Sequence, residues 1–372
     1  MAGAQNQALI PVRNWPNMDL EIPTRQADEL EAVAEPKLTS HGRIGQNVAI
    51  LGTAHALPKK VIGNDVFTAN GAVSDEWIMA RTGIRERRQA GPDEHASILG
   101  TQAALSAMEQ AGIGASDLDA IICTTVTPEM LLPSTACQIQ AHLGAKKAAA
   151  FDLVAACSGF LYGAWVARGL LAASNKPQNI LVANVDYITR IVTRSSVKTS
   201  VLFGDGAAAA VFSNVPHGPQ LIDVEVASDG AAAELLYIPA GGSRDPYSDE
   251  LLESGQTSVH MNGPALFRLA VERMTESSLA ILHKHGYTID DVDVFVPHQA
   301  NLRIIEAVGQ RLHIAAEKVV INVDTIGNTA SASIPIALDQ AVRAGKIKPG
   351  DLVLMAAFGG GLTWGAALAK WG

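Results

Sequence analysis

The chain has 372 residues, 48% of them hydrophobic and 17% charged, which is enough apolar material for a large core and excludes wholesale disorder; the length suits two fused units. Its net charge of -9 lacks the basic excess that nucleic acid or an anionic membrane surface would require, so an acidic partner has to be met by a local cationic patch. Cys123, Cys137 and Cys157 are odd in number and lack metal-ligand spacing, which argues against a disulfide framework or zinc site and for a reducing cytoplasm.

Residues 1–45 are polar, proline-bearing and aperiodic, and read as an extension of unassigned role. Asp19, Glu21, Asp28, Glu29 and Glu31 argue against a transit peptide, and no export signal precedes them. The apolar stretch 157–173 is interrupted by Arg168, so no membrane span is expected.

From Asn47-Val-Ala-Ile-Leu-Gly52 onward, continuous apolar runs alternate with helical patterns. The runs Ala120–Cys123, Ile180–Ala183, Val294–Val296 and Leu352–Met355 suit strands covered on both faces, hence a layered α/β fold. Gly112-Ile-Gly-Ala-Ser-Asp-Leu-Asp119 is echoed by Gly286-Tyr-Thr-Ile-Asp-Asp-Val-Asp293, and Lys176-Pro177 by Lys348-Pro349 at nearly the same offset. Two echoes in order indicate a duplicated unit, with halves expected over 46–215 and 216–372. Counted back equally from the two lysines, Cys157 and Thr329, the neighbour of Asn328, fall at corresponding points, so Cys157 and Asn328 are read as equivalent, each where a helix should begin.

Cys157 follows an apolar strand and opens an apolar helix, so the first free helix amides and the helix dipole would favour its thiolate. A buried structural cysteine fits the same local sequence. Cys123, in a strand, and Cys137, in a helical run, fit the structural reading. His298 ends a strand at its carboxyl edge, where α/β folds place ligands, although a lone histidine there also fits a core or surface residue. His283, His285 and His313 lie in polar helical surroundings. The clusters Phe203-Gly-Asp-Gly206 and Phe358-Gly-Gly-Gly361 complete no nucleotide-binding pattern and instead permit close backbone approach.

Taken in order, Ser74-Asp-Glu-Trp-Ile-Met-Ala-Arg81-Thr-Gly-Ile-Arg-Glu-Arg87, Pro133-Ser-Thr-Ala-Cys-Gln-Ile-Gln140, Ala155-Ala-Cys157-Ser-Gly-Phe160, Phe203-Gly-Asp-Gly-Ala207, Val296-Pro-His298-Gln-Ala-Asn-Leu-Arg303, Gly327-Asn328-Thr-Ala-Ser331 and Phe358-Gly-Gly-Gly-Leu-Thr-Trp364 resemble the successive motifs of β-ketoacyl-acyl carrier protein synthase III. The resemblance runs from about residue 46 to the C-terminus.

It implies a thiolase-like, duplicated αβαβα five-layer sandwich, a homodimer, and decarboxylative condensation of an acyl-CoA primer with malonyl-acyl carrier protein. No cofactor is held permanently; coenzyme A thioester is a substrate. Cys157, His298 and Asn328 would form the catalytic set. Cys157 would carry the acyl group, with the oxyanion held by the backbone amides of Cys157 and Gly360. His298, neutral and donating through Nε2, and Asn328 would stabilise the enolate of the malonyl group. Trp77 and Arg81 match positions holding the coenzyme A nucleotide, and Phe267, Ala300 and Asn301 its pantetheine tunnel. Gln299 and Arg303, with Arg268, would meet the carrier protein. Leu132 stands where the family places a residue closing the partner's acyl pocket, and a leucine in place of phenylalanine implies primers longer than acetyl.

One departure is plain. Where the family's Asp-Arg-Gly-Thr stacks an arginine on adenine, this chain reads Ser196-Val197-Lys198-Thr199, leaving Lys198 or Arg194 to supply charge without a planar stack at Val197. A condensing or acyltransferase enzyme of a polyketide or alkylquinolone-type pathway is the rival reading. A degradative thiolase is disfavoured because residues 356–366 lack a second cysteine. A non-catalytic partner subunit would be expected to have lost Cys157 or His298.

Overall fold

Most strands of the main sheet are runs of apolar residues buried along their length, whereas the edge strand at residues 149–153 is partly exposed. The computed structural model describes residues 48–372 except Asn70, Pro177 and 193–196; the N-terminal extension and Arg194 therefore lie outside the described residues. The strands are β1 (Val48–Ala56), β2 (Ala120–Thr124), β3 (Ala149–Leu153), β4 (Asn179–Tyr187), β5 (Asp205–Ser213), β6 (Gln220–Ser228), β7 (Val294–Pro297), β8 (Leu352–Gly359) and β9 (Thr363–Lys370). Among the described residues they form one sheet in the order β7-β8-β9-β6-β1-β5-β4-β2-β3.

The order repeats outward from the β1–β6 junction, where Val48 pairs with Leu221. On one side β1, β5 and β4 are antiparallel neighbours and β4, β2 and β3 are parallel. On the other, β6, β9 and β8 are antiparallel neighbours, β8 and β7 are parallel, and a parallel bridge from Phe295 to Val319 stands in the place of β3. The sequence echo has a physical basis in this plan. Gly112 and Gly286 both take the left-handed conformation that ends or follows a helix. Asp119 and Asp293 then accept the amides of Asn179 and Leu352, each at the start of the next parallel strand, at 2.9 and 2.7 Å.

Helices α1 (Asp75–Thr82), α2 (Ala96–Ala111), α3 (Thr135–Leu143), α4 (Gly159–Ala172), α5 (Gly263–Lys284), α6 (Leu302–Leu312) and α7 (Ser333–Arg343) complete the layers. Residues of α4 and α7 share a core with both arms of the sheet, while α2 and α3 cover one outer face and α5 and α6 the other. This is the five-layer arrangement of the thiolase-like fold. Strand β5 contains Ala207–Ala210, all fully buried. Alanine is a weak strand former, yet its small side chain lets α2 and α7 lie close on opposite faces. No helix of the described residues is long and apolar enough to cross a membrane.

Candidate active site

Cys157 sits where β3 turns into α4. The turn Ala156–Ser158 is a single 3₁₀ turn entered through Ala156 at φ 45°, and the helix follows from Gly159. A left-handed alanine is strained by roughly 1–2 kcal/mol, and its neighbours over-determine it. Ser158 Oγ donates to the Thr363 carbonyl at 3.0 Å, and Thr363 Oγ1 donates to the Ala155 carbonyl at 3.0 Å. Gly359 closes the other side: a Cβ there would lie 2.7 Å from the Cys157 nitrogen, so only glycine lets β8 approach Cys157 this closely.

The second arm repeats the turn at Ala330–Ala332, again entered through a left-handed alanine, Ala330 at φ 47°, before α7. The structural counterpart of Cys157 is therefore Ser331, and Asn328 lies three residues upstream. This corrects the correspondence of Cys157 with Asn328 drawn from the lysines, because the segment joining turn to lysine is shorter in the second arm. Asn328 is nonetheless a turn-capping residue: its Oδ1 accepts the Ala330 amide at 2.9 Å, which leaves the Nδ2 hydrogens for the cavity. Its backbone pairs with the first arm, accepting from Gly204 and donating to the Leu202 carbonyl. A Cβ on Gly204 would come within 2.5 Å of the Ile326 carbonyl oxygen, which is the close approach this glycine cluster permits.

His298 follows β7, held by its amide on the Ala356 carbonyl at 2.8 Å. Its Nδ1 lies 2.5 Å from Ser333 Oγ, at the first residue of α7. Between the two turns sits Asp186, fully buried. Its carboxylate accepts from the Val126 amide and from Thr125 Oγ1 in the first arm, and from the Ser331 amide and Oγ in the second, the last at 2.5 Å.

Burial dominates the electrostatics. It pushes the Cys157 thiol up to about 12, with the Asp186 charge adding to the rise and the cysteine's own amide opposing it. A three-unit rise corresponds to roughly 4 kcal/mol against the thiolate, more than a helix dipole supplies. The helix amides favour the thiolate as expected, but burial outweighs them, and the resting group is a neutral thiol. Burial also lowers His298 to about 3, so the imidazole is neutral at pH 7. Asp186 is raised to about 6 by burial, against its hydrogen bonds, and is mostly ionised at pH 7.

Cys157, His298 and Asn328 line one narrow cavity with Ala300, Asn301, Phe358 and Gly359. Through Leu202, Met261, Leu266 and Asn301 it continues into a groove of about 960 Å³ walled by Trp77, Arg81, Lys198, Phe267 and Arg303. Arg81 lies over the Trp77 ring at 4.8 Å and Arg303 over Phe267 at 5.7 Å. On its other side Cys157 borders an apolar cavity of about 310 Å³ lined by Val126, Ile188, Ile191, Phe203, Leu236 and Gly360.

Most of the residues singled out from sequence converge here, but not all. Gln299 is fully buried: its Nε2 donates to the Pro297 and Val320 carbonyls and its Oε1 accepts the amides of Asn322 and Val323. With every polar atom used internally it has nothing to offer a carrier protein, and that expectation is corrected. Arg268 is exposed on α5 beside Phe267. Leu132 is 85% exposed and lines neither cavity of its own chain. Among the described residues no group of three His, Cys, Asp or Glu side chains is placed to hold a metal. Sequence reasoning passed over Ser333, Asp186 and Gly359. Nothing local distinguishes a buried serine or aspartate; the glycine lay within a cluster already noted.

Comparison with known proteins agrees with this geometry. Residues 151–230 match the family described as 3-oxoacyl-[acyl-carrier-protein (ACP)] synthase III, and residues 282–371 match its C-terminal family. The β-ketoacyl-[acyl-carrier-protein] synthase III of Symbiobacterium thermophilum is 47% identical over 325 residues, covering 87% of this chain and 98% of the relative. The crystal structure of 3-oxoacyl-[acyl-carrier-protein] synthase III from Aquifex aeolicus superposes with a TM-score of 0.79 at 40% identity, covering 87% of this chain and all of that one. The priming β-ketosynthase of the R1128 polyketide biosynthetic pathway superposes with a TM-score of 0.78 at 33% identity over 90% of this chain and 99% of that one.

Proposed function

The chain belongs to the 3-oxoacyl-[acyl-carrier-protein] synthase III family, acyltransferases of the initiating condensation in fatty acid synthesis, and from that premise we propose that Cys157, His298 and Asn328 divide the reaction between them. Acyl-CoA enters along the Trp77–Arg81 groove. The Cys157 sulfur attacks the thioester carbonyl, its proton leaves with the departing coenzyme A thiol, and the amides of Cys157 and Gly360 hold the oxyanion. The acyl chain occupies the apolar cavity. Malonyl-acyl carrier protein then binds, with Arg303 and Arg268 meeting its acidic surface.

His298 Nε2–H and Asn328 Nδ2–H donate to the malonyl thioester oxygen as carbon dioxide departs. The resulting carbanion attacks the acyl-Cys157 carbonyl, and collapse of the adduct releases β-ketoacyl-carrier protein and the Cys157 thiolate, which takes a proton from solvent to restore the thiol. The observation that carries this reading is the convergence of the three side chains on one narrow cavity between a cationic groove and an apolar one.

A cytoplasmic homodimer is part of the same reading. Val154, 75% exposed, follows the edge strand β3, and Leu131 and Leu132, 91% and 85% exposed, precede α3, which packs on that strand, apolar positions suited to a second copy of the chain. The size of the apolar cavity and the likeness to a priming β-ketosynthase support a second reading in which the primer serves a specialised pathway.

Incubation with radiolabelled acyl-CoA followed by peptide mapping tests the proposal. The label is expected on Cys157 alone, and Cys157→Ala is expected to lose both label and condensation, by more than about a thousandfold. Label on Cys123 or Cys137 with retained turnover would overturn it.

A further inference from the structure

We infer that Ser333 is a positioning residue that sets the tautomer of His298, so that Nε2 carries the single imidazole hydrogen toward the cavity. The inference rests on the reading of His298 as a donor to the second substrate. His298 is 2% exposed, and its Nδ1 has one partner among the described residues, Ser333 Oγ at 2.5 Å. Ser333 is itself 2% exposed. Its oxygen already accepts the Gln299 amide at 3.2 Å.

A hydroxyl has one hydrogen to give, and the acceptor beside this one is His298 Nδ1. If Nδ1 were protonated instead, the serine oxygen would face two N–H donors while its own hydrogen lay buried without an acceptor, an arrangement that folded proteins avoid. Donation from Ser333 satisfies all three groups at once and leaves the proton on Nε2, because a neutral imidazole holds only one.

The surrounding residues hold this geometry. Gln299 is pinned by four hydrogen bonds from its side-chain amide, which fixes the backbone N–H that it presents to Ser333. Burial of Gln299 is thereby accounted for without a carrier-protein contact. The two donors of the cavity are fixed by the same logic from adjacent points of one segment: Asn328 by the Ala330 amide on Oδ1, and His298 by the Ser333 hydroxyl on Nδ1.

Selective ¹⁵N-histidine labelling reads the tautomer directly, with His298→Ala identifying the resonance. The wild-type protein is expected to show protonated Nε2 and unprotonated Nδ1. Ser333→Ala is expected to give a mixture of tautomers and to lower malonyl decarboxylation about 10- to 100-fold, while acylation of Cys157, measured on the same sample as a check of folding, changes less than about threefold. Ser333→Thr, which keeps the hydroxyl, should restore the wild-type tautomer and most of the rate. A protonated Nδ1 in the wild-type protein overturns the inference even if Ser333→Ala fails to fold. So does a folded Ser333→Ala protein with wild-type tautomer and rate. If His298→Ala itself decarboxylates normally, the donor reading fails instead.

Discussion

The turns at Ala156–Ser158 and Ala330–Ala332 share a left-handed alanine and a following helix, yet one presents a cysteine and the other a serine bound to Asp186. The same backbone device thus serves two ends. In the first arm it holds Cys157, the proposed nucleophile, against glycine-lined backbone; in the second it holds a turn that fixes Asn328, upstream, directly and His298 through Ser333, downstream, the two proposed hydrogen-bond donors of the cavity. Each arm also reaches into the other through a glycine: Gly359 packs against the Cys157 nitrogen and Gly204 against the Ile326 carbonyl. The two arms share a frame, and in the proposed mechanism the difference between residues 157 and 331 is what would separate acyl transfer from enolate stabilisation.

Breaking the contact between the arms should have the largest effect. Gly359→Ala places a methyl 2.7 Å from the Cys157 nitrogen and 3.0 Å from its Cβ, so the nucleophile must move. Displacement of this size costs on the order of a hundredfold in rate. Single-turnover acylation of Cys157 is expected to fall by about that factor, and unchanged acylation would show that the close approach is incidental.

The comparison is sharpened by pH, since the two arms hold neutral groups for one reason, burial. With the Cys157 thiol held at about 12, its thiolate fraction rises about tenfold per pH unit below that value. Alkylation of Cys157 by iodoacetamide should therefore keep rising from pH 6 to pH 9 without levelling. A plateau near the ordinary thiol value of about 8.5 would mean that the helix amides cancel the effect of burial, and one below it that they govern Cys157. His298, lowered to about 3, should show no titration over the same range.

A smaller effect is expected at Leu132, which lies beyond both turns on the exposed margin. If it closes the partner's acyl pocket, Leu132→Phe should shift the ratio of kcat/KM for butyryl-CoA over acetyl-CoA toward acetyl by about three- to tenfold. An unchanged ratio in competition assays would remove Leu132 from the pocket.

Much of this architecture was legible in the chain because it is written in local pattern. Fully covered strands appear as continuous apolar runs, and the aspartates that receive the next strand's amide repeat visibly at Asp119 and Asp293. Strand β5 was not legible: four consecutive alanines carry little strand preference, and tertiary packing alone decides their conformation. At the site, local pattern placed Cys157, His298 and Asn328 at the ends of elements, but it fitted structural roles equally well, and the resemblance of the surrounding motifs to the family is what singled them out as a set. Gln299 was misplaced because its neighbours in sequence, Ala300 and Arg303, line the cavity and groove, whereas its own side chain turns inward and bonds to four buried backbone groups. Asp186 and Ser333 depend on contacts more than thirty residues away in the chain, which no local pattern encodes.

The most direct test of the central claim, that the two arms perform separate steps, is to measure both steps on His298→Ala and Asn328→Ala. Cys157 acylation by acyl-CoA, followed by intact-protein mass, should proceed in both variants at close to the wild-type rate. Decarboxylation of malonyl-acyl carrier protein should fall about a hundredfold or more in each. Loss of acylation in parallel with decarboxylation, or wild-type decarboxylation in both, would contradict the division of labour.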